Sequence, residues 1–217
     1  MRLYIKIISA LVIWLGWAVT VNAQTVVDQL AAIVNGEAVT QSDIIWGLTL
    51  DPSVVEINDD PQTMGQMLNQ LIDQRLLLAE AERLPRLEPT TDQIADALRD
   101  LIKRFPSEEI FYERVRRVGL TRDVARDIMK QRLQILNYID FRFRSFAIIT
   151  DSEIQEYFKD VLQPKLRARG IKPGEQPSDE ERALIESILI EERVNREIER
   201  FLEQARQQAD IVILAHF

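Results

Sequence analysis

The sequence has no cysteine, and its only histidine, His216, stands next to the end of 217 residues. No disulfide can form, no thiol can serve as a nucleophile, and a metal site of ordinary His and Cys ligands cannot be assembled. Folding stability therefore has to come from packing. Also missing are a Gly-x-Ser-x-Gly elbow, a phosphate-cradling Gly-rich loop and a His-Glu-x-x-His helix. Ser, Asp and Glu are plentiful, as in any helical protein, but in no catalytic pattern. The residues point to a protein that is not an enzyme, with no catalytic residue, no metal and no cofactor. Positive charge is the minority: 27 Lys and Arg against 35 Asp and Glu, a formal net charge of −8. That balance argues against nucleic acid as the main partner. The one basic cluster, Arg114, Arg116, Arg117, Arg122, Arg126, Lys130 and Arg132, is interleaved with Glu113, Asp123 and Asp127. This is the pattern of solvated helix faces more than of a patch for an anionic partner.

What is present is a core and an address. Hydrophobic residues make up 46% of the chain, enough to bury one domain or two small ones. Arg2 and Lys6 precede an apolar stretch, Ile7 to Val21, and Val21-Asn22-Ala23 offers tolerated residues for cleavage after Ala23. This predicts a secretory signal peptide over residues 1–23 and a mature chain beginning at Gln24. The competing possibility is an uncleaved inner-membrane anchor, but the apolar stretch is shorter than the ~20 residues that span a bilayer. Stable membrane insertion of the mature chain is not expected. Losing Arg2 and Lys6 makes that chain still more acidic. A Gram-negative periplasm fits such an address, with release from a Gram-positive cell left open.

Asn35-Gly36 lies between two short apolar runs within the stretch Ala31 to Ile44. An Asn-Gly pair favours the two positive φ angles of a type I′ turn, so these runs predict a β-hairpin whose first strand covers Val26 to Val34. Nearly everything after it has helical periodicity. Thr40…Asp43, Thr90…Gln93 and Thr150…Glu153 each pair a hydroxyl with an acid or amide three residues on, the signature of a capped helix start. Helices are predicted over Thr40 to Leu48, Pro61 to Leu84, Thr91 to Phe105, Ser107 to Val118 and Thr121 to Ser145. The last carries Val124, Ile128, Leu133, Leu136 and Ile139 as its apolar positions. A further helix follows from Thr150 to about Leu166, then a Pro- and Gly-containing loop from Arg169 to Ser178, then a long amphipathic helix from Asp179 to Gln208. The β-branched run Ile211-Val212-Ile213-Leu214 closes the chain. A two-stranded hairpin is marginal in water, so the closing run is predicted to pair with the first hairpin strand. The fold class is thus mainly α, with one small sheet made by the two ends of the mature chain.

The order VVDQLAAIVNGEAVTQSDI, LIDQRLLLAEAERL, PTTDQI, ITDSEIQEYF and EERVNREIERFLEQARQQADIVIL resembles the SurA-like periplasmic chaperones. The first four resemble their N-terminal helical domain and the last resembles the C-terminal helix and strand that return to complete it. The resemblance implies a chaperone domain over 24–163, a linker over 164–178 and a completing segment over 179–217. It departs from the family in one respect. SurA and its relatives carry parvulin-type prolyl isomerase domains in that interval, which here is far too short for a domain of ~100 residues. Parvulin sites use histidines, which this chain lacks there. The implied function is ATP-independent holding of unfolded outer-membrane or secreted proteins without isomerase activity. The alternative is a structural or adaptor protein of the cell envelope with one defined partner. A homodimer stays open. Candidate client-binding residues are the aromatics Trp46, Phe111, Tyr112, Tyr138, Phe141, Phe143 and Phe146, which supply large apolar area, with core packing as the competing role for each.

Overall fold

The structure, a computed structural model, describes residues 28–54, 56 and 60–217. The expected signal peptide, the Gln24 start and the first residues of the expected strand lie outside these. Among the described residues the hairpin comprises β1 (Leu30–Val34) and β2 (Glu37–Thr40). Its turn is made by Asn35 at φ 50° and Gly36 at φ 87°, the two left-handed positions that favoured the pair. Register runs Val34 to Glu37, Ile33 to Ala38 and Ala32 to Val39, then slips at Ala31 so that Leu30 faces Thr40.

The closing strand β3 (Ile211–Ile213) lies antiparallel on the other side of β1, with Val34 opposite Ile211 and Ala32 opposite Ile213. The sheet order is β2-β1-β3. At the slip, the Ala31 carbonyl accepts from the Leu214 and Ala215 N–H groups, 2.9 and 3.0 Å, so the irregularity in one pair is used by the other. The two ends of the described chain thus share one sheet, as the sequence predicts.

The helices follow their caps. Thr40, Thr90 and Thr150 each close a full capping box at the starts of α1 (Gln41–Thr49), α3 (Thr91–Ile102) and α6 (Asp151–Tyr157). Asp60 caps α2 (Pro61–Glu82), with Pro61 in the first turn where its missing N–H costs nothing. Ser107 caps α4 (Glu108–Arg117) and Thr121 caps α5 (Arg122–Arg142). α5 stops three residues short of Ser145, because Arg144–Phe146 tightens into a 3₁₀ turn. After α6 the helix widens into a π turn at Phe158–Leu162 before α7 (Gln163–Ala168). The cause is Pro164, which has no N–H for the Asp160 carbonyl one turn back. Ser178 and Glu181 form a fourth capping box at the start of the 30-residue α8 (Asp179–Gln208).

Four apolar clusters result. Val39, Ile44, Met64, Leu68 and Ile72 pack beneath the sheet, with Leu202 and Ile211 from the chain's end against them. Ile94, Leu101, Phe105, Phe111, Val115 and Met129 bind α3, α4 and α5 together. Leu77, Leu78, Ile135 and Tyr138 join α2 to α5, with Phe201 of α8 on their rim. Ile154, Phe158 and Ile185 make a small separate core between α6, the π turn and the first half of α8. Each fully buried large apolar side chain contributes roughly 1.5–3 kcal/mol. Helix α8 thus runs as a spine, its C-terminal half on the main body and its N-terminal half on a small satellite.

Leu136 departs from its expected place. It is exposed, and the inward stripe of α5 is Ala125, Met129, Ile135 and Tyr138, with Gln134 buried among them. α5 is sandwiched between α2 and α3. Two packed neighbours shift the buried stripe away from the one that periodicity alone selects.

Candidate functional site

The seven aromatic candidates part company in the fold. Phe111 and Tyr138 are core residues, only 2% and 5% exposed, and as packed they offer no open surface. Phe111 makes edge contacts with Phe105 and Tyr112, centroids 5.1 and 5.4 Å apart. Tyr138 meets Phe143 and Phe201 at 6.1 and 6.3 Å, and burial pushes its phenol pKa up. The physical reason is position: both sit where three helices converge, so their area is consumed by packing.

Trp46, Tyr112, Phe141 and Phe143 are half-buried. The Trp46 indole N–H donates to the Val118 carbonyl at 3.3 Å, tying α1 to the end of α4. Tyr112 lies beneath the Arg122 guanidinium and Phe141 beneath that of Arg86, 5.2 and 4.2 Å from carbon to ring centre. Phe143 packs on Phe201 of α8 at 5.9 Å. Only Phe146 among the seven is open, at 72% exposure. On a straight helix Phe141, Phe143 and Phe146 cannot share one face, and the 3₁₀ turn at Arg144–Phe146 leaves the third open.

Beside Phe146 stands a residue that attention to aromatics misses. Ile148, two residues on and past the extended Ala147, is 75% exposed. The strap that carries them, residues 143–150, bridges the main body and the satellite. It is fixed by charge. Arg144 grips Glu191 of α8 with two N–H groups, 2.5 and 3.0 Å, and Asp140 with a third at 2.8 Å, which holds its pKa above the ordinary value. Arg193 of α8 donates to the Ile148 carbonyl and to Glu153. The apolar pair is therefore held outward on a fastened segment rather than on a free tail. The sequence signal was there as the run Phe-Ala-Ile-Ile between a charged helix end and a capping Thr.

A second apolar surface lies on the sheet edge. Val212, Ile213 and Leu214 are each about half exposed beside Leu30 and Phe217. Ile110, Leu184 and Ile171 are exposed singly, which is ordinary.

The basic cluster does not form one patch. Arg114 is turned inward, donating to the Val54 and Leu48 carbonyls at 2.5 and 2.8 Å. Arg117 pairs with Glu113 and Lys130 with Glu88. Among the described residues no group of three or more His, Cys, Asp and Glu could hold a metal, and no helix is long and apolar enough to cross a membrane.

Comparison with known proteins bears on the fold. No protein-family model and no curated protein sequence matches the chain. Among solved structures, one described with the virulence factor PEB4 and the periplasmic protein Cj1289, two structurally related SurA-like chaperones of Campylobacter jejuni, superposes with a TM-score of 0.50. The match covers 87% of this chain and all of that one, at 11% identity. The fold is similar to that of SurA-like chaperones. At this identity the likeness concerns architecture alone.

Proposed function

We propose that the protein is an ATP-independent periplasmic chaperone, a holdase that binds unfolded outer-membrane or exported proteins and does not isomerise prolyl bonds. The observation that carries this is the outward pair Phe146 and Ile148, held on a charged strap of a fold similar to that of SurA-like chaperones. An exposed apolar pair on a fastened segment gives weak contacts to any unfolded chain without collapsing onto the protein itself. Strands of outer-membrane barrels alternate apolar residues that need cover until they reach lipid. Many weak contacts let a client leave without fuel, which suits a compartment without nucleotide and a sequence without a nucleotide motif. The expected signal peptide supplies the address.

The test is dilution of a denatured outer-membrane β-barrel into buffer with the mature protein. Aggregation slows, added ATP changes nothing, and a prolyl peptide equilibrates at its uncatalysed rate of tens to hundreds of seconds. F146S/I148S weakens the suppression while circular dichroism stays that of the parent, since neither side chain is packed. Unchanged aggregation at several-fold excess of folded protein removes the holdase and promotes an adaptor with one defined partner.

A further inference from the structure

A small cleft lies between β2, α1, α2 and α5, away from the strap and from the exposed sheet edge. Its walls include Val39, Leu71, Leu78, Ile128 and Ile135, and its polar lining is Gln74, Arg75, Gln131 and Arg132 with Asp43. The polar groups are rich in donors that the fold does not use. Among the described residues Arg132 forms no salt bridge. Burial lowers its pKa, opposed only by the field of Asp51. Gln74 and Gln131 make no side-chain hydrogen bond with a described residue. Arg75 lies 3.9 Å from both Glu37 and Asp43, near enough to feel their charge and too far for a hydrogen bond. Asp43 is itself occupied, its Oδ2 accepting from the Thr40 N–H at 2.9 Å.

A half-buried cation is costly unless an anion and hydrogen-bond acceptors face it. A guanidinium offers its N–H groups as a planar fork, and a carboxylate is the acceptor whose two oxygens match it. The aliphatic walls call for something apolar directly behind that carboxylate. We propose that this cleft binds a carboxylate carried on an apolar stem, held by Arg132 and Arg75, with the stem against the half-buried Leu71 and Ile128. Two sources present this chemistry: the free C-terminus of a polypeptide with an apolar last residue, and an aliphatic acid. In the first case the cleft anchors the end of a client, which rests on the holding activity proposed above. The carboxylate site does not.

The experiment uses the full mature protein and a fluorescein-labelled peptide ending in Val-Leu-Phe, once as the free acid and once as the amide, read by anisotropy. The free acid binds and the amide binds about tenfold more weakly or worse, because the charge-assisted hydrogen bonds are lost. R132Q loses the preference for the acid. R75K weakens it by keeping the charge and losing the fork, and this second variant carries the test should R132Q not fold. R126Q, on the exposed face of the same helix, binds as the parent does. Octanoate competing for the site assigns an aliphatic acid as a second source, and octanoate without effect assigns the chain end. Equal binding of acid and amide, or parent-like preference in both R132Q and R75K, or no binding of either peptide or of octanoate to folded protein, overturns the site. Aggregation of the barrel client, measured alongside, separates the two proposals: suppression that persists without acid preference removes the cleft and leaves the holdase.

Discussion

Asn35 holds two jobs that the sequence presents as one. Its positive φ makes the hairpin turn, and its side-chain Oδ1 accepts from the Asp210 N–H at 2.9 Å while its own N–H donates to the Asp210 carbonyl at 2.8 Å. The turn of the first hairpin is thereby clamped to the junction of α8 and β3. N35G separates the two. Glycine keeps the left-handed turn and the backbone bond but deletes the side-chain acceptor, so the variant loses about 1 kcal/mol in urea unfolding. No loss would mean that the clamp is made by backbone alone. Arg114 shows the other residue-scale lesson. It stacks 5.6 Å from the Phe105 ring centre and spends its donors on carbonyls, while its Nε is buried without a partner. What the sequence presents as a member of a basic surface is a structural cation that ties α4 to the end of α1.

Helix α6 is short, and its start carries much of its order. The Glu153 carboxylate accepts from the Thr150 N–H and hydroxyl, both 2.8 Å, and from Arg193 of α8. The Thr150 hydrogen bonds, led by the backbone one, and Arg193 hold the Glu153 pKa below its ordinary value of 4.5. A carboxylate whose folded pKa is depressed adds stability that is complete above its unfolded pKa and is lost as pH falls through the folded one. Melting of the satellite should therefore be flat from neutral pH to about pH 5 and decline below about 4.5. E153Q should lower stability at neutral pH and flatten this decline, measured by chemical denaturation across the range. An unchanged acid slope in E153Q would mean that other carboxylates at the strap, such as Glu191, dominate it.

At the scale of the whole molecule, the main body and the satellite differ in what holds them. The body has three apolar clusters that share helices, whereas the satellite has one small cluster with Ile154, Phe158 and Ile185 at its centre. The strap and α6 are tied to α8 by ion pairs: Arg144 to Glu191, Arg182 to Asp151 and Arg193 to Glu153. These pairs are largely solvent-facing, so salt screens them. Hydrogen exchange followed by mass spectrometry should show residues 144–190 exchanging faster than α2 and the sheet, and the gap should widen in high salt. Uniform protection that ignores salt would show one cooperative unit. An opening satellite would swing the strap, and with it Phe146 and Ile148, without unfolding the body.

Local chemistry fixes its outcome within a few residues, and there the sequence sufficed. The Asn-Gly turn, the three Thr capping boxes and the helix-breaking prolines needed no distant partner, and even the overlooked Ser178 box had the same spacing in plain view. The pairing of β3 with β1 was also legible, because a lone hairpin demands a third strand and one apolar run remained to supply it. Tertiary structure alone decided which face of α5 is buried, since that depends on α2 and α3 packing on it from two sides. It decided that Phe111 and Tyr138 are core while Phe146 is open, because a 3₁₀ turn of three residues redirects a side chain that periodicity places along a straight helix. It also brought Arg75 and Arg132 to one cleft. Two arginines with the whole of α3 and α4 between them in sequence carry no mark of their nearness, and only the docking of α5 against α2 sets both around the same space.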